Sequence, residues 1–146
     1  MIDRDFRFKS VAIVDDEQGR LDVLTRYVEE AGYIAIPAQG GRKALELFHN
    51  IRPEVAVIYG GMESDVTAFD LCSLINSPLK RDHRVVPIIV ISHEEMEWMT
   101  SGEPKLVNDY LTLPFPAYQL IQTIRRLLKL QDIAQSDTLW PTELVS

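Results

Sequence analysis

The chain has 146 residues, 46% hydrophobic and 25% charged, with a formal net charge of −7: one domain with enough apolar content for its own core, and too acidic for broad attraction to nucleic acid or an anionic membrane. A single cysteine, Cys72, excludes an internal disulfide and suits a reducing compartment. No apolar run approaches the ~18 residues that span a bilayer, and Met1-Ile2-Asp3-Arg4-Asp5 lacks the apolar stretch of a signal peptide, so the expected location is cytoplasmic.

The first apolar run, Val11-Ala12-Ile13-Val14, reads as a buried strand. Leu21, Leu24, Val28 and Ala31 then recur at helical spacing until Gly32, a residue suited to ending a helix. Tyr33-Ile34-Ala35-Ile36 is the second strand, and Gly40-Gly41 opens a second helix marked by Ala44, Leu45, Leu47 and Phe48. Val55-Ala56-Val57-Ile58 is the third strand. Thr67 with Asp70 three residues on has the form of a capping box for a third helix, whose apolar positions are Phe69, Cys72, Leu74 and Ile75. Cys72 reads there as a small buried hydrophobe rather than a reactive thiol. Val86-Pro87-Ile88-Ile89-Val90-Ile91 is the fourth strand, and a short, weakly patterned helix lies between Glu94 and Ser101. Leu106-Val107 to Tyr110-Leu111 is the fifth strand. Leu120, Ile121, Ile124, Leu127 and Leu128 give the last helix the broadest apolar face. From Asp132 the helical period is lost and Ser136, Asp137, Thr138 and Pro141 appear, so residues 1–131 are read as one domain and 132–146 as a tail or the start of a linker.

The strongest apolar runs are continuous rather than alternating, as in parallel strands covered on both faces. Strand–helix alternation implies right-handed crossovers and a doubly wound sheet. Such sheets bind ligands beyond the carboxyl ends of their strands, where the connection direction reverses. The residues there are Asp15-Asp16-Glu17, Tyr59-Gly60-Gly61, Ser92-His93 and Thr112-Leu113-Pro114.

Four stretches now resemble the receiver domain of two-component response regulators, over roughly residues 9 to 130: 11–17 (Val11 to Glu17), 53–59 (Pro53 to Tyr59), 87–92 (Pro87 to Ser92) and 109–115 (Asp109 to Phe115). The resemblance implies an α/β, flavodoxin-like, doubly wound five-stranded parallel sheet of order 2-1-3-4-5 with five helices. In active receivers an acidic pair and an acceptor Asp hold magnesium, a Ser or Thr contacts the phosphoryl group, and a Lys neutralises it. The matching positions here are Asp15 and Asp16 for the pair and Ser92 for the hydroxyl, but Tyr59 at the acceptor and Leu113 at the lysine. A phenol cannot become the acyl phosphate that a carboxylate nucleophile forms. A phosphoryl group adds about −1.5 to −2 charge and wants a nearby cation, which Leu113 does not offer.

The expectation is a degenerate receiver: a non-phosphorylatable pseudo-receiver, not an enzyme, acting by protein–protein contact in a bacterial signalling pathway. The alternative is a true phospho-receiver that uses a neighbouring carboxylate as acceptor. No cofactor is required on the first reading. A weak magnesium site would draw on Asp15, Asp16 and the main chain near Gly61, against a pair that is only solvated or caps the first helix. Tyr59 is expected to plug the emptied pocket with its hydroxyl on Asp15 or Asp16, and Ser92 to hydrogen-bond locally. His93 is either a partner that offsets repulsion within the acidic pair or a solvated loop residue. The loop from Gly60 to Thr67 is one residue longer than the family pattern; Glu63 and Asp65 lie there, either as an alternative acidic ligand or, as is usual for exposed loop carboxylates, only solvated. Leu113-Pro114 matches a peptide usually cis in the family.

Partners, or a second copy of the chain, are expected on the face of the fourth helix, fifth strand and fifth helix. Met96, Trp98, Met99, Tyr110, Tyr118, Arg125 and Arg126 fall there. Nucleic acid and membrane are not expected partners of this chain. A nucleotide binder would need a glycine-rich loop after the first strand, and Asp15-Asp16-Glu17-Gln18 has the wrong composition for that.

Overall fold

A computed structural model describes residues 9–77, 85–100 and 106–145. Strands β1 (Ser10–Asp15), β2 (Ile34–Gln39), β3 (Val55–Tyr59), β4 (Ile88–Ser92) and β5 (Asp109–Thr112) alternate with helices α1 (Gln18–Glu30), α2 (Gly41–Asn50), α3 (Ala68–Ile75), α4 (Glu97–Thr100) and α5 (Ala117–Val145). The strands form one parallel sheet in the order β2-β1-β3-β4-β5, the doubly wound arrangement expected. Pro37 cannot donate to a ladder and lies in β2, an edge strand, where that loss is tolerated.

Side chains of the central strands alternate between two cores because successive residues point to opposite faces. Val11, Ile13, Val55, Val57, Ile89 and Ile91 pack with Leu21, Leu24 and Val28 of α1 and the expected apolar face of α5. Ala12, Val14, Ala56, Ile58, Ile88 and Val90 pack with residues of α2 and α3 and with Met99 of α4. Tyr59, the last residue of β3, touches both cores.

Several boundaries differ from expectation for physical reasons. The Thr67–Asp70 capping box forms and starts α3 at Ala68, which turns Ala68, Leu71, Cys72 and Ile75 inward. Phe69 and Leu74, expected among the inward positions, are each 46% exposed. β5 begins at Asp109 rather than Leu106-Val107, because Asn108 bridges Ile88 with its own groups. Its side-chain oxygen accepts the Ile88 N–H at 2.8 Å and its N–H donates to the Ile88 carbonyl at 2.9 Å. Asn76 clamps Val86 with its side-chain amide alone, Oδ1 accepting the Val86 N–H at 2.8 Å and Nδ2 donating to the Val86 carbonyl at 2.9 Å, and β4 starts after Pro87. The backbone of α5 stays helical through Asp132 to Val145. The apolar period fades there because the helix has run past the sheet it covers: Leu130 and Ile133 are already exposed. Residues 1–8, Ser101 and Ser146, all used in the sequence reading, lie outside the described residues.

Cys72 is buried, and burial pushes its thiol up to about 12. The native protein should leave a thiol reagent uncoloured near about pH 8, since the thiolate is the reacting form. Full reaction should come only after denaturant is added; rapid native-state labelling would contradict this placement.

Candidate functional site

β1 delivers Asp15 to the carboxyl edge of the sheet with no solvent exposure. A carboxylate buried in this way must be paired and fully hydrogen-bonded to be tolerated. Arg20 does most of that. Its Nε donates to Asp15 Oδ2 at 2.6 Å and its Nη2 to Oδ1 at 2.8 Å, a two-pronged charge-assisted contact. The Glu17 N–H completes the set at 3.0 Å on Oδ1.

Arg20 is aimed by the start of α1. Glu17 is the cap, its carboxylate accepting from the Gly19 N–H at 3.0 Å and the Arg20 N–H at 2.6 Å. Neither Asp15 nor Asp16 caps the helix. Arg20 Nη2 also lies 3.9 Å from Asp16 Oδ1, while Asp16 Oδ2 accepts the Glu63 N–H at 3.0 Å. The guanidinium is thereby raised above its ordinary pKa, chiefly by the Asp15 hydrogen bonds and against the opposing effect of burial.

The other face of the cluster is aromatic. Arg20 Cζ stands 3.6 Å from the centroid of the Tyr59 ring, a cation–π contact. Tyr59 fills the strand end as expected, but its hydroxyl pairs with His93 Nδ1 at 2.7 Å and not with Asp15 or Asp16. The reason is occupancy: Arg20 holds both Asp15 oxygens and lies over the ring, so the hydroxyl points to the end of β4. His93 accordingly partners Tyr59 and not the acidic pair, its ring edge-on at 80° with centroids 5.8 Å apart. Gly61 admits the phenol, since a Cβ there would lie 2.9 Å from the ring. Gly60 anchors the turn through its N–H to the Ile91 carbonyl at 2.7 Å.

Ser92 is buried, and its hydroxyl accepts the Glu94 N–H at 3.3 Å, the local bonding expected. Leu113 packs on the α1/α5 core and its N–H donates to the Ser92 carbonyl at 2.8 Å, so the end of β5 is apolar. The Leu113-Pro114 bond is cis. Asp65 reaches outward to Arg42 at 3.1 Å in an exposed pair that contributes little, and the Glu63 side chain is solvated.

A divalent ion on Asp15, Asp16 and Gly61 does not fit this donor set. Magnesium needs near-octahedral oxygen ligands. Here both Asp15 oxygens are engaged, one Asp16 oxygen accepts a backbone N–H, and a guanidinium already supplies positive charge beside them. Among the described residues no group of three or more His, Cys, Asp or Glu is placed to hold a metal.

Arg20 is the residue of this cluster that reading the chain missed. Its signal was present: an Arg four residues after Asp16, in the first turn of a helix, is at the spacing where opposite charges meet.

The side chains of the expected contact face divide between core and surface. Met99 is core, Met96 and Tyr110 are half-buried against it, and Trp98 is half-buried with its ring edge-on to Phe69 at 5.5 Å. Tyr118 is 64% exposed. Arg126 pairs with Asp109, and the Arg125 guanidinium lies near the Tyr33 phenol. An apolar groove between α2 and α3, lined by Leu45, Phe48, Leu71, Leu74 and Ile75, includes none of the strand-end residues. Among the described residues no helix is long and apolar enough to cross a membrane.

Comparison with known proteins gives a consistent picture. The family model for the response regulator receiver domain matches residues 11–125. The chain is 30% identical over 133 residues to a probable transcriptional regulatory protein of Picosynechococcus, covering 86% of this chain and 51% of that one. It is 24% identical over 127 residues to the alkaline phosphatase synthesis transcriptional regulatory protein PhoP of Bacillus subtilis, with the same 86% and 51% coverage. The chain spans about half the length of the curated relatives it matches. Its fold is shared with the chemotaxis response regulator CheY4 of Vibrio cholerae, at TM-score 0.71 and 22% identity over 82% of this chain and 98% of that one. The receiver domain of a Francisella response regulator gives TM-score 0.70 and 26% identity over 83% and 97%.

Proposed function

Given that this chain belongs to the response regulator receiver family, we propose that it is a receiver without phosphotransfer chemistry, one that signals by contact with protein partners. One observation carries the reading. The acceptor position holds Tyr59, its ring against the Arg20 guanidinium and its hydroxyl on His93, with no carboxylate at that strand end. The neighbouring carboxylates offer a poor substitute. Asp15 is sealed under Arg20, Asp16 accepts from Glu63, and the position that would hold a phosphate-neutralising ammonium is Leu113. The cation that is present, Arg20, is committed to Asp15.

Contact would then run through the α4–β5–α5 face, with Tyr118 as its exposed aromatic and Arg126 at its margin, whereas Arg125 turns toward Tyr33 instead. The partner is a protein of the same signalling pathway or a second copy of the chain. Aromatic and Arg side chains are the residues that most often dominate such interfaces.

The reading is tested by incubation with acetyl phosphate and magnesium, beside a phosphorylatable receiver as control. The expected result is no acyl-phosphate mass addition to this chain while the control is labelled. A hydroxylamine-labile mass gain at any Asp or Glu would overturn it.

A further inference from the structure

We propose that the Arg20 guanidinium is the resident cation of this cleft, permanently doing the charge neutralisation that a divalent ion would do at the acidic pair. The inference takes from the receiver reading only the location of the cleft. A buried carboxylate without a counter-charge is strongly destabilising, and at Asp15 that counter-charge is covalently part of the chain, two hydrogen bonds deep at 2.6 and 2.8 Å. The surroundings are shaped for a guanidinium and not for a hydrated ion. Glu17 fixes the backbone from which Arg20 springs. Tyr59 offers an aromatic face 3.6 Å from Cζ, a flat partner for a flat cation. Gly61 leaves the room that this ring needs. A bound ion would have to displace Arg20 from Asp15 and face a phenol where it wants an anionic oxygen.

Arg20 therefore makes the fold indifferent to divalent ions, and removing it should create an ion dependence that the native chain lacks. The test is thermal unfolding of the full chain, wild type beside Arg20→Ala and Arg20→Gln, in magnesium chloride or in sodium chloride of equal ionic strength. Wild type should move by less than about 1 °C between the two salts. Each variant should start lower and gain about 3–6 °C in about 10 mM magnesium, the size expected for millimolar binding to the native state alone. Manganese gives a second readout on wild type, since a bound paramagnetic ion broadens nearby amide signals. Sharp Asp16 and Gly61 amide signals at equimolar manganese support the proposal.

A saturable magnesium gain in wild type equal to that of the variants would overturn it, as would site-specific broadening by manganese. So would folded variants with no ion response. If Arg20→Ala does not fold, Arg20→Gln and the wild-type measurements decide. Ion binding by wild type would refute the resident cation alone, whereas an acyl phosphate would refute the absence of phosphotransfer, so the two failures are separable.

Discussion

Arg20→Leu is expected to lower folding stability by about 2–4 kcal/mol, with urea unfolding as the measurement. Removing one member of a fully buried ion pair costs about 3–5 kcal/mol because the other charge is left stranded. The lower figure here reflects an Arg20 side chain that is 21% exposed against 0% for Asp15. Part of the penalty would be relieved by water entering beside Asp15. The penalty should belong to the stranded carboxylate more than to any attraction lost. Adding Asp15→Leu to Arg20→Leu should therefore recover most of it, since apolar replacement of both partners is often neutral or better. A double change that is no more stable than the single one would show that Arg20 acts through its packing on Tyr59 instead. A single change within about 0.5 kcal/mol of wild type, the range of ordinary surface substitutions, would mean the pair contributes little.

Gly41→Ala is the second large effect expected, at about 2–3 kcal/mol, and it reports on the loop over the cleft. A Cβ on Gly41 would stand 1.8 Å from the Val66 carbonyl oxygen and 2.8 Å from Ser64 Oγ. Backbone must move to make room, which places the cost in the upper part of the range for overpacking. The adjacent Gly40 makes an instructive control. Its φ is +92° with open space around it, so Gly40→Ala would be strained by its own dihedral angles and leave the loop in place. Only Gly41→Ala should disturb the Glu63 N–H bond to Asp16, visible as a shift of the Glu63 amide resonance. An undisturbed Glu63 amide in a stable Gly41→Ala protein would contradict the close approach.

The parts of this molecule that were legible from the chain are those in which local pattern and tertiary environment agree. β1, β3 and β4 are continuous apolar runs because both faces are covered, and the α5 face is broad because it lies along the sheet. Thr67 and Asp70 announce the start of α3 through bonds that are entirely local. Phe69 and Leu74 misled because apolar residues are common on surfaces and say little about which side of a helix is inward. At the cleft, the positions of Asp15, Asp16, Tyr59, Ser92 and Leu113 followed from where strands end. The bonding among them did not, because it depends on Arg20. The spacing of Arg20 from Asp16 signals a charge pair, but the two-pronged contact is with Asp15 and depends on the Glu17 cap that fixes where the arginine points. The direction of the Tyr59 hydroxyl was hidden for the same reason, being set by a guanidinium supplied from another element.

The stack of Arg20 on Tyr59 above Gly61 also bears on history. One nucleotide separates a tyrosine codon from an aspartate codon, so a single mutational step would place an acid at residue 59. That step leads nowhere by itself. The newcomer would lose the contact with both cores that Tyr59 makes, would join two acids already served by one arginine, and would still find leucine at residue 113. An acceptor site there would need concerted change at three separated places, and the intermediates on the way would lose the present packing before gaining that chemistry. Such a cleft resists stepwise change, because each single substitution breaks contacts that the other residues still need.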